Sequence, residues 1–276
     1  METLAEAALF DGQQITYRHR SAALSCDMNF AVYKPSSATG ATLFWLSGLT
    51  CTEENFITKA GAQRIASELG ITLVAPDTSP RGTDVPDDPE QAYDFGLGAG
   101  FYVNATQAPW QTHYQMHTYV EDELYGLLAT ELGLDTDCVG IFGHSMGGHG
   151  ALTMALRSPD KFKSVSAFAP ICSPINCPWG QKALAGYLGP ESGLWRQYDA
   201  CALIEDGARV ERILVDQGDA DGFLQEQLKP QLLQQACAAA GMDLNMRMQV
   251  GFDHSYYFVA TFIEDHLRWH AEHLLA

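Results

Sequence analysis

Short apolar runs that alternate with segments of helical periodicity constrain the fold of this chain more than any other feature. Each run is nearly continuous and ends at or beside a turn former, which is typical of strands buried on both faces of a sheet. Alternation of such strands with helices predicts parallel pairing through right-handed crossovers, with helices on both faces. The runs are TLFWLSG (42–48), ITLVAPD (71–77), CVGIFGH (138–144), SVSAFAP (164–170) and RILVDQG (212–218).

The remaining segments fit the same domain. The early stretches QITYRHRSAAL and MNFAVYKP alternate as half-buried antiparallel strands do, and we expect them to extend one edge of the sheet. No internal repeat, low-complexity tract or linker divides the chain. We therefore predict a single α/β domain over residues 1–276, with a mostly parallel central sheet flanked by helices. The predicted helices cover residues 54–69, 119–132, 151–157, 224–240 and 256–275.

In a sheet of this kind, ligands bind at the carboxyl ends of the strands. The segment HSMGG after the third run draws attention because it contains Gly-x-Ser-x-Gly, with Ser145 between Gly143 and Gly147. A buried strand leads into this motif and a helical segment follows it, which is the setting of a nucleophile elbow. Side chains at 143 and 147 would collide with the neighbouring strand and helix in so tight a turn. The alternative is a glycine-rich helix N-terminus in which Ser145 is only a cap.

A serine nucleophile needs a base, and the base needs a carboxylate that orients it. In α/β-hydrolase sites the order along the chain is Ser, acid, His. His254 lies in VGFDHSYYF, between the strand NMRMQV and the last helix, where the base belongs. The three histidines further on, His266, His270 and His273, have spacings that place them mostly on the solvent side of that helix.

The segment DQGDADGF offers three candidates for the acid. Asp216 falls within or at the end of a strand, whereas Asp219 and Asp221 are on the loop, and their spacing does not separate these two. Asp253 beside the base is a further candidate that is better explained as a turn former. For the oxyanion hole we expect the N–H of Met146, which follows the nucleophile, and an N–H of SGLTC, for which we choose Leu49 because Gly48 lets the backbone turn inward.

Charge and cysteine content exclude several classes of function. The net charge of −18 argues against nucleic acid and anionic membrane surfaces as partners, since both would repel the chain. The seven cysteines include no Cys-x-x-Cys pair, and we find neither a signal-peptide pattern nor an apolar run of membrane-spanning length. These observations predict a cytoplasmic protein with reduced thiols. His113 and His117 have helical i, i+4 spacing, but without a third ligand in view we predict no metal site.

Seven sequence blocks spread over most of the chain carry a resemblance to a known family: LSGLTCTEENF, DTSPRG, YDFGLGAGFYVNAT, GHSMGGHGAL, NCPWGQKA, DQGDADGFL and GFDHSYYF. In these blocks and their order the chain resembles the S-formylglutathione hydrolase (esterase D) family. The resemblance implies an α/β-hydrolase fold and a triad of Ser145, Asp221 and His254, with the acid taken from the Asp-x-Phe-Leu element. It also implies a cytosolic, often homodimeric, cofactor-free enzyme of glutathione-dependent formaldehyde detoxification. A departure from the family is TDVPDDPEQA after Pro-Arg-Gly, where a Gly- and Glu-rich run is common.

The resemblance implies hydrolysis of a glutathione thioester through a formyl-enzyme intermediate. Cys51, two residues beyond Leu49, should lie near such a site as a packing residue, and Trp179 in NCPWGQKA either lines the cleft or belongs to the core. A general short-chain carboxylesterase is the main alternative, beside an acyltransferase of the mycolyl-transfer kind. A binding module without catalytic activity is the alternative from a different class.

Overall fold

The computed structural model describes residues 1–190 and 193–275. Within those residues, nine strands form one sheet, in the spatial order β1-β2-β3-β5-β4-β6-β7-β8-β9. The first three strands and the β3–β5 pair are antiparallel, and all other neighbours are parallel. The strands are β1 Glu2–Leu9, β2 Gly12–Arg20, β3 Asp27–Pro35, β4 Thr42–Leu46, β5 Thr72–Pro76, β6 Val139–His144, β7 Ser164–Phe168, β8 Arg212–Gly218 and β9 Asp243–Gln249.

The strand order has a switch point at β4. The chain continues from β4 to β5 on one side and then returns to place β6 on the other side. Crevices form at the carboxyl ends of strands where the order reverses in this way. The segments SGLTC after β4 and HSMGG after β6 therefore lie side by side, with Leu46 paired to Gly143 at the ends of the two strands.

Helices lie on both faces of the sheet. The side chains of Ser164 and Ser166 on β7 contact α10, whereas Ala167 faces Gly148 of α5; successive strand residues point to opposite faces. None of the described helices has the length and apolar character needed to cross a bilayer. The helices are α1 Glu53–Lys59, α2 Ala62–Leu69, α3 Met116–Thr118, α4 Tyr125–Thr130, α5 Met146–Arg157, α6 Pro178–Leu188, α7 Gly193–Arg196, α8 Ala200–Glu205, α9 Pro230–Ala240 and α10 Tyr256–Leu274.

The predicted α/β fold with a mostly parallel sheet is confirmed, but several helix bounds differ. The predicted helix 54–69 is divided into α1 and α2 at Gly61, whose φ of 66° no helix interior adopts. The predicted helix 119–132 starts as a π-helical turn, Tyr119–Leu124, and continues as α4. The segment 224–240 likewise begins with a π-helical turn, and α9 starts at Pro230 after Lys229 in the left-handed region.

The placement of the α10 histidines on the solvent side is wrong for two of the three. His266 and His270 are fully buried, and His273 is partly exposed. The sheet covers this face of α10 and supplies polar partners, because Ser166 lies between the two rings. A periodicity count that treats histidine as polar assigns it to the wrong face of the helix when the core provides hydrogen bonds.

Candidate active site

Ser145 lies on the sharp turn between β6 and α5. Its φ and ψ are 59° and −118°, a backbone conformation that residues other than glycine rarely adopt. A Cβ atom at Gly147 would lie 1.9 Å from the carbonyl oxygen of Leu46, and one at Gly143 would lie 2.4 Å from that of Gly147. Glycine is therefore required at both positions, and the turn brings the serine to the carboxyl end of the sheet.

His254 and Asp221 come together from the loops that follow β9 and β8. His254 Nδ1 lies 2.5 Å from Asp221 Oδ2, and the carboxyl group is buried. Asp221 also accepts hydrogen bonds from the N–H of Phe223 at 2.8 Å and from Gln217 Nε2 at 3.3 Å. The two loops approach closely because Gly218 has no side chain: a Cβ there would lie 2.2 Å from the carbonyl oxygen of Phe252.

Ser145 and His254 line one cavity of about 340 Å³ at the carboxyl ends of β4 and β6. Among the contacts of the described residues, no hydrogen bond joins the serine hydroxyl to the imidazole, as is common in ligand-free sites, where this bond tightens when substrate binds. The other lining residues are Gly48, Leu49, Thr50, Cys51, Asn55, Lys59, Tyr93, His144, Trp179, Phe223, Ser255 and Tyr256.

Asp216, a candidate for the acid, has other partners. Arg247 Nη2 donates to its carboxylate at 2.5 Å, and His266 Nε2 lies 3.2 Å away. Burial disfavours the ionised carboxylate, but the hydrogen bonds from His266 and Arg247 outweigh that effect and lower the pKa of Asp216 to about 2. Asp216 therefore belongs to a charged cluster between the sheet and α10.

The remaining acid candidates stabilise turns. Asp219 is exposed and accepts the N–H of Gly251 at 2.7 Å. Asp253 accepts hydrogen bonds from both the N–H and the hydroxyl of Ser255, immediately before α10. Of the four aspartates, Asp221 is the one whose carboxylate contacts His254.

The N–H groups expected to form an oxyanion hole belong to the residue after Ser145 and to the loop after β4. Met146 is the first residue of α5, so its N–H has no acceptor within the helix. Leu49 lies on the adjoining loop and lines the cavity. Among the described residues, neither N–H donates to another backbone carbonyl outside the helices and strands. A Cβ atom at Gly48 would lie 3.2 Å from the Cβ of Ser145, so glycine allows the loop to approach Ser145 closely.

Cys51 and Trp179 both line the cavity. Cys51 is buried, and burial raises the pKa of its thiol. Trp179 is also buried, and its Nε1 donates to the Tyr93 hydroxyl at 3.1 Å. Phe223 completes this wall, with its ring centroid 4.7 Å from that of Trp179 and 5.1 Å from that of His254. Trp179 thus belongs to both the cleft and the core.

His144, Tyr93, Phe223 and Lys59 were not expected from the sequence as members of the site. His144 immediately precedes Ser145, and its ring centroid is 4.4 Å from that of His254. Burial, with a smaller effect of His254, lowers the pKa of His144 well below its usual value, so this ring packs against His254 as a neutral group. The position of Phe223 two residues after Asp221 was a signal that could have indicated its place in the wall.

His113 and His117 contact different groups. His113 Nδ1 is 2.8 Å from the carbonyl oxygen of Leu24, and His117 Nε2 is 2.5 Å from Glu121. In the part of the chain that the structure describes, no three His, Cys, Asp or Glu side chains are arranged to hold a metal ion.

Comparison with known proteins places this chain among esterases. The Esterase family model matches residues 21–269. An S-formylglutathione hydrolase from Rattus norvegicus is 50% identical over 282 residues, which cover 100% of this chain and 99% of the relative. The chain belongs to the S-formylglutathione hydrolase family.

Solved structures agree with this assignment. The structure of an S-formylglutathione hydrolase from Agrobacterium tumefaciens superposes with a TM-score of 0.97 at 49% identity, covering 99% of this chain and 100% of that one. A fluorophosphonate-binding serine hydrolase from Staphylococcus aureus shares the fold, with a TM-score of 0.73 at 19% identity over 95% of this chain and 99% of that chain. Members of the S-formylglutathione hydrolase family and more distant serine hydrolases thus share this architecture, and the α/β-hydrolase fold is confirmed.

Proposed function

We propose that this chain hydrolyses the thioester S-formylglutathione to formate and glutathione, and that Ser145, His254 and Asp221 carry out the reaction. The observation that supports the proposal most strongly is the 2.5 Å contact between His254 Nδ1 and Asp221 in the cavity that Ser145 also lines. A carboxylate bound to Nδ1 fixes the tautomer whose Nε2 is free to accept a proton. The membership in the S-formylglutathione hydrolase family supports the choice of substrate.

In the first half of the reaction, His254 Nε2 takes the proton of Ser145 as the serine oxygen attacks the thioester carbonyl. The negative charge that develops on the carbonyl oxygen would be stabilised by the N–H groups of Leu49 and Met146. One such donor contributes about 3 kcal/mol, or roughly a hundredfold in rate. The C–S bond then breaks, which is easy for a thiolate because free thiols have a pKa of about 8.5. The departing sulfur takes the proton from His254 Nε2, so glutathione leaves as the thiol and the imidazole is neutral again.

In the second half, a water molecule loses a proton to His254 and attacks the formyl ester of Ser145. Formate leaves when the bond to the serine oxygen breaks and His254 returns the proton to that oxygen. Asp221 holds the imidazole in place and stabilises its protonated form. These steps use only side chains and backbone N–H groups of this chain and require no cofactor.

The setting of the enzyme is also part of the proposal. The seven cysteines are free and six of them are buried, which fits a reducing, cytoplasmic compartment. We propose that the chain works as a single domain, because its β-sheet runs without interruption from β1 to β9. The homodimer that the family resemblance implies would be tested by light scattering of the purified protein.

The decisive experiment compares wild type with Ser145→Ala and Asp221→Asn. Wild type should hydrolyse S-formylglutathione and react with a fluorophosphonate probe, whereas Ser145→Ala should lose about 10⁴-fold or more in kcat and all labelling. Ser67→Ala, on α2 away from the cavity, is the matched serine control and should keep both. Unchanged Tm values of the variants would show that they are folded.

Two results would contradict the proposal. A preference of orders of magnitude for a medium-chain nitrophenyl ester over S-formylglutathione would favour a general carboxylesterase. Absence of labelling in the folded wild type would favour a binding module without catalytic activity.

A further inference from the structure

A second cavity adjoins the active-site cavity at the start of α10. It has a volume of about 440 Å³ and is lined by Lys59, Ser255, Tyr256, Tyr257 and Ala260. Lys59, Ser255 and Tyr256 also line the cavity that contains Ser145. The two cavities therefore adjoin at these three residues, and we call the second cavity, beside α10, the groove.

Lys59 is distinguished by its positive charge beside both cavities, and no described carboxylate pairs with it. Within residues 1–190 and 193–275, it is the one Lys or Arg that lines either cavity. No described carboxylate lies within 4 Å of its Nζ atom, in a chain with 34 Asp and Glu against 16 Lys and Arg. By contrast, Lys161 and Lys182 form ion pairs with aspartates.

The position of Lys59 is fixed by its neighbours. It is the last residue of α1, and its Nζ lies 5.7 Å from the centroid of the Tyr256 ring. A cation over an aromatic face is stabilised without losing its ability to bind an anion. Its side chain is exposed, and so is Tyr257, the next aromatic residue along the groove.

The chemistry of the substrate matches this arrangement. The acyl part of S-formylglutathione is a single formyl group, so the rest of the molecule has to extend away from Ser145. That part carries two carboxylates and one ammonium group, and most of the protein surface repels its net negative charge. We infer that Lys59 binds a carboxylate of the glutathione portion in the groove lined by Tyr256 and Tyr257. This inference rests on the proposed function and assigns the leaving-group side of the same site.

An exposed cation acts mainly on binding. Lys59 would hold the glutathione portion equally in the ground state and the transition state, so its loss should raise KM and leave kcat nearly unchanged. Because the interaction is electrostatic and accessible to solvent, salt should weaken it. A group that acted through the fold alone would affect every substrate to the same extent.

The experiment uses two formyl thioesters, S-formylglutathione and the neutral S-formyl-N-acetylcysteamine. For Lys59→Gln we expect kcat/KM on S-formylglutathione to fall about fivefold to tenfold through KM, and kcat/KM on the neutral thioester to change by less than about twofold. Lys59→Arg should restore most of the loss. Lys34→Gln is the matched control, because Lys34 is exposed on β3 and its substitution removes the same charge. It should leave kcat/KM unchanged for both substrates.

The failure of this inference is distinct from the failure of the proposed function. A wild-type enzyme that does not hydrolyse S-formylglutathione would overturn the function. Equal kcat/KM values of wild type and Lys59→Gln on S-formylglutathione would overturn the role of Lys59. So would a loss of kcat/KM in Lys59→Gln that is the same for both thioesters. A KM for S-formylglutathione that rises with ionic strength in wild type but not in Lys59→Gln would support it.

Discussion

The backbone at Ser145 is held in its uncommon conformation from both sides. Its N–H donates to the carbonyl oxygen of Phe168 at 3.0 Å, and its own carbonyl accepts from the N–H of Ile171 at 3.2 Å. Both partners belong to β7 and the segment after it, where Ala169 also has a positive φ of 40°. A residue in such a conformation costs about 1–3 kcal/mol and persists only when its surroundings impose it. The strained turn is therefore supported by the neighbouring strand as well as by its two glycines.

Cys51 offers a direct chemical test of the cavity wall. We expect thiol-alkylating reagents to inhibit hydrolysis, because an added group on this side chain would occupy the cavity beside Ser145. Burial raises the pKa of the Cys51 thiol, so the reaction should be slow at neutral pH and faster as pH rises and more thiolate forms. Inhibition would be measured as loss of thioester hydrolysis over time at several pH values.

Two variants, each with one cysteine replaced, distinguish alkylation at Cys51 from alkylation elsewhere in the chain. Cys51→Ser should remain active and lose most of its sensitivity to the reagent. Cys138→Ser is the matched control, because Cys138 is half-buried just before β6, at the end of the strand opposite the cavity. If Cys51→Ser were inhibited as fast as wild type, the critical thiol would lie elsewhere.

At the scale of elements, the loop after β4 depends on two other loops. The Cys51 carbonyl accepts hydrogen bonds from Thr78 Oγ1 at 2.5 Å and from Arg81 Nη2 at 3.3 Å. The N–H of Thr50 donates to the carbonyl oxygen of Gly98 at 2.8 Å, and Thr50 has a positive φ of 66°. The segments DTSPRG and GAGFYVNA thus hold the backbone that presents the N–H of Leu49.

This support predicts a loss of activity in Thr78→Val. The substitution keeps the shape of a fully buried side chain and removes its hydrogen bond to the Cys51 carbonyl. Leaving a buried carbonyl short of a donor costs about 1–3 kcal/mol, and the loop should relax away from the position that suits the oxyanion. We expect kcat to fall about tenfold with a smaller change in KM.

Thr42→Val provides the matched control for this effect. Thr42 is fully buried at the start of β4, and its hydroxyl has no hydrogen-bond partner among the described residues. Its replacement should keep kcat and leave Tm equal or higher, since no bond is lost. Equal kcat values for Thr78→Val and wild type would show that the hydrogen bond from the DTSPRG segment does not position the loop after β4 for catalysis.

The parallel strands could be predicted from the sequence because every residue of β4, β5, β6 and β7 is buried. Burial on both faces leaves a continuous apolar signal. The first strand, β1, could not be predicted in this way. Seven of its eight residues are exposed, so it forms through backbone pairing with β2 and leaves little hydrophobic pattern.

The residues of the site also differ in how far the sequence could predict them. Motifs and chain order point to Ser145 and His254, because their chemistry restricts residue type and order. Spacing leaves Asp219 and Asp221 open, and it is the family resemblance that favours Asp221.

The aromatic wall could not be predicted, because Tyr93 and Phe223 lie on two separate loops and Trp179 lies in the first turn of α6. The three side chains meet only through tertiary contacts. The periodicity of the sequence places Lys59 inside one long helix, 54–69. In the structure α1 ends at Lys59, and this residue therefore lies beside the cavity.

At the scale of the whole molecule, buried histidines connect the sheet to its helices. His270 bridges Ser164 and Ser166 at 2.6 and 2.8 Å, and His266 lies between Ser166 and Asp216. His149 on α5 contacts the carbonyl oxygen of Phe101 at 2.9 Å. Each of these rings is fully buried. The fold therefore contains several imidazoles whose burial favours the neutral form.

The neutral state of these rings predicts a loss of stability in mild acid. Burial lowers the pKa of His144 and His270 well below the usual value, that of His266 by less, and that of His149 to about 4. The unfolded chain binds protons at these histidines near pH 6.5 while the native state does not, so stability is full above that pH and falls as the pH decreases. Each histidine contributes up to about 1.4 kcal/mol per pH unit. Burial raises the pKa of the carboxyl groups of Asp77 and Asp199, which opposes the trend closer to pH 4.

We therefore expect the free energy of unfolding, measured by urea denaturation, to decrease by several kcal/mol between about pH 7 and about pH 5. His149→Gln can keep the donor to the Phe101 carbonyl and removes one titrating ring, so its stability should decrease less steeply over the same interval. Thr42→Val, which removes no titrating group, should show the slope of wild type. A free energy of unfolding that stays constant over this range would mean that the histidines titrate alike in the native and unfolded states, and that the core tolerates their charge.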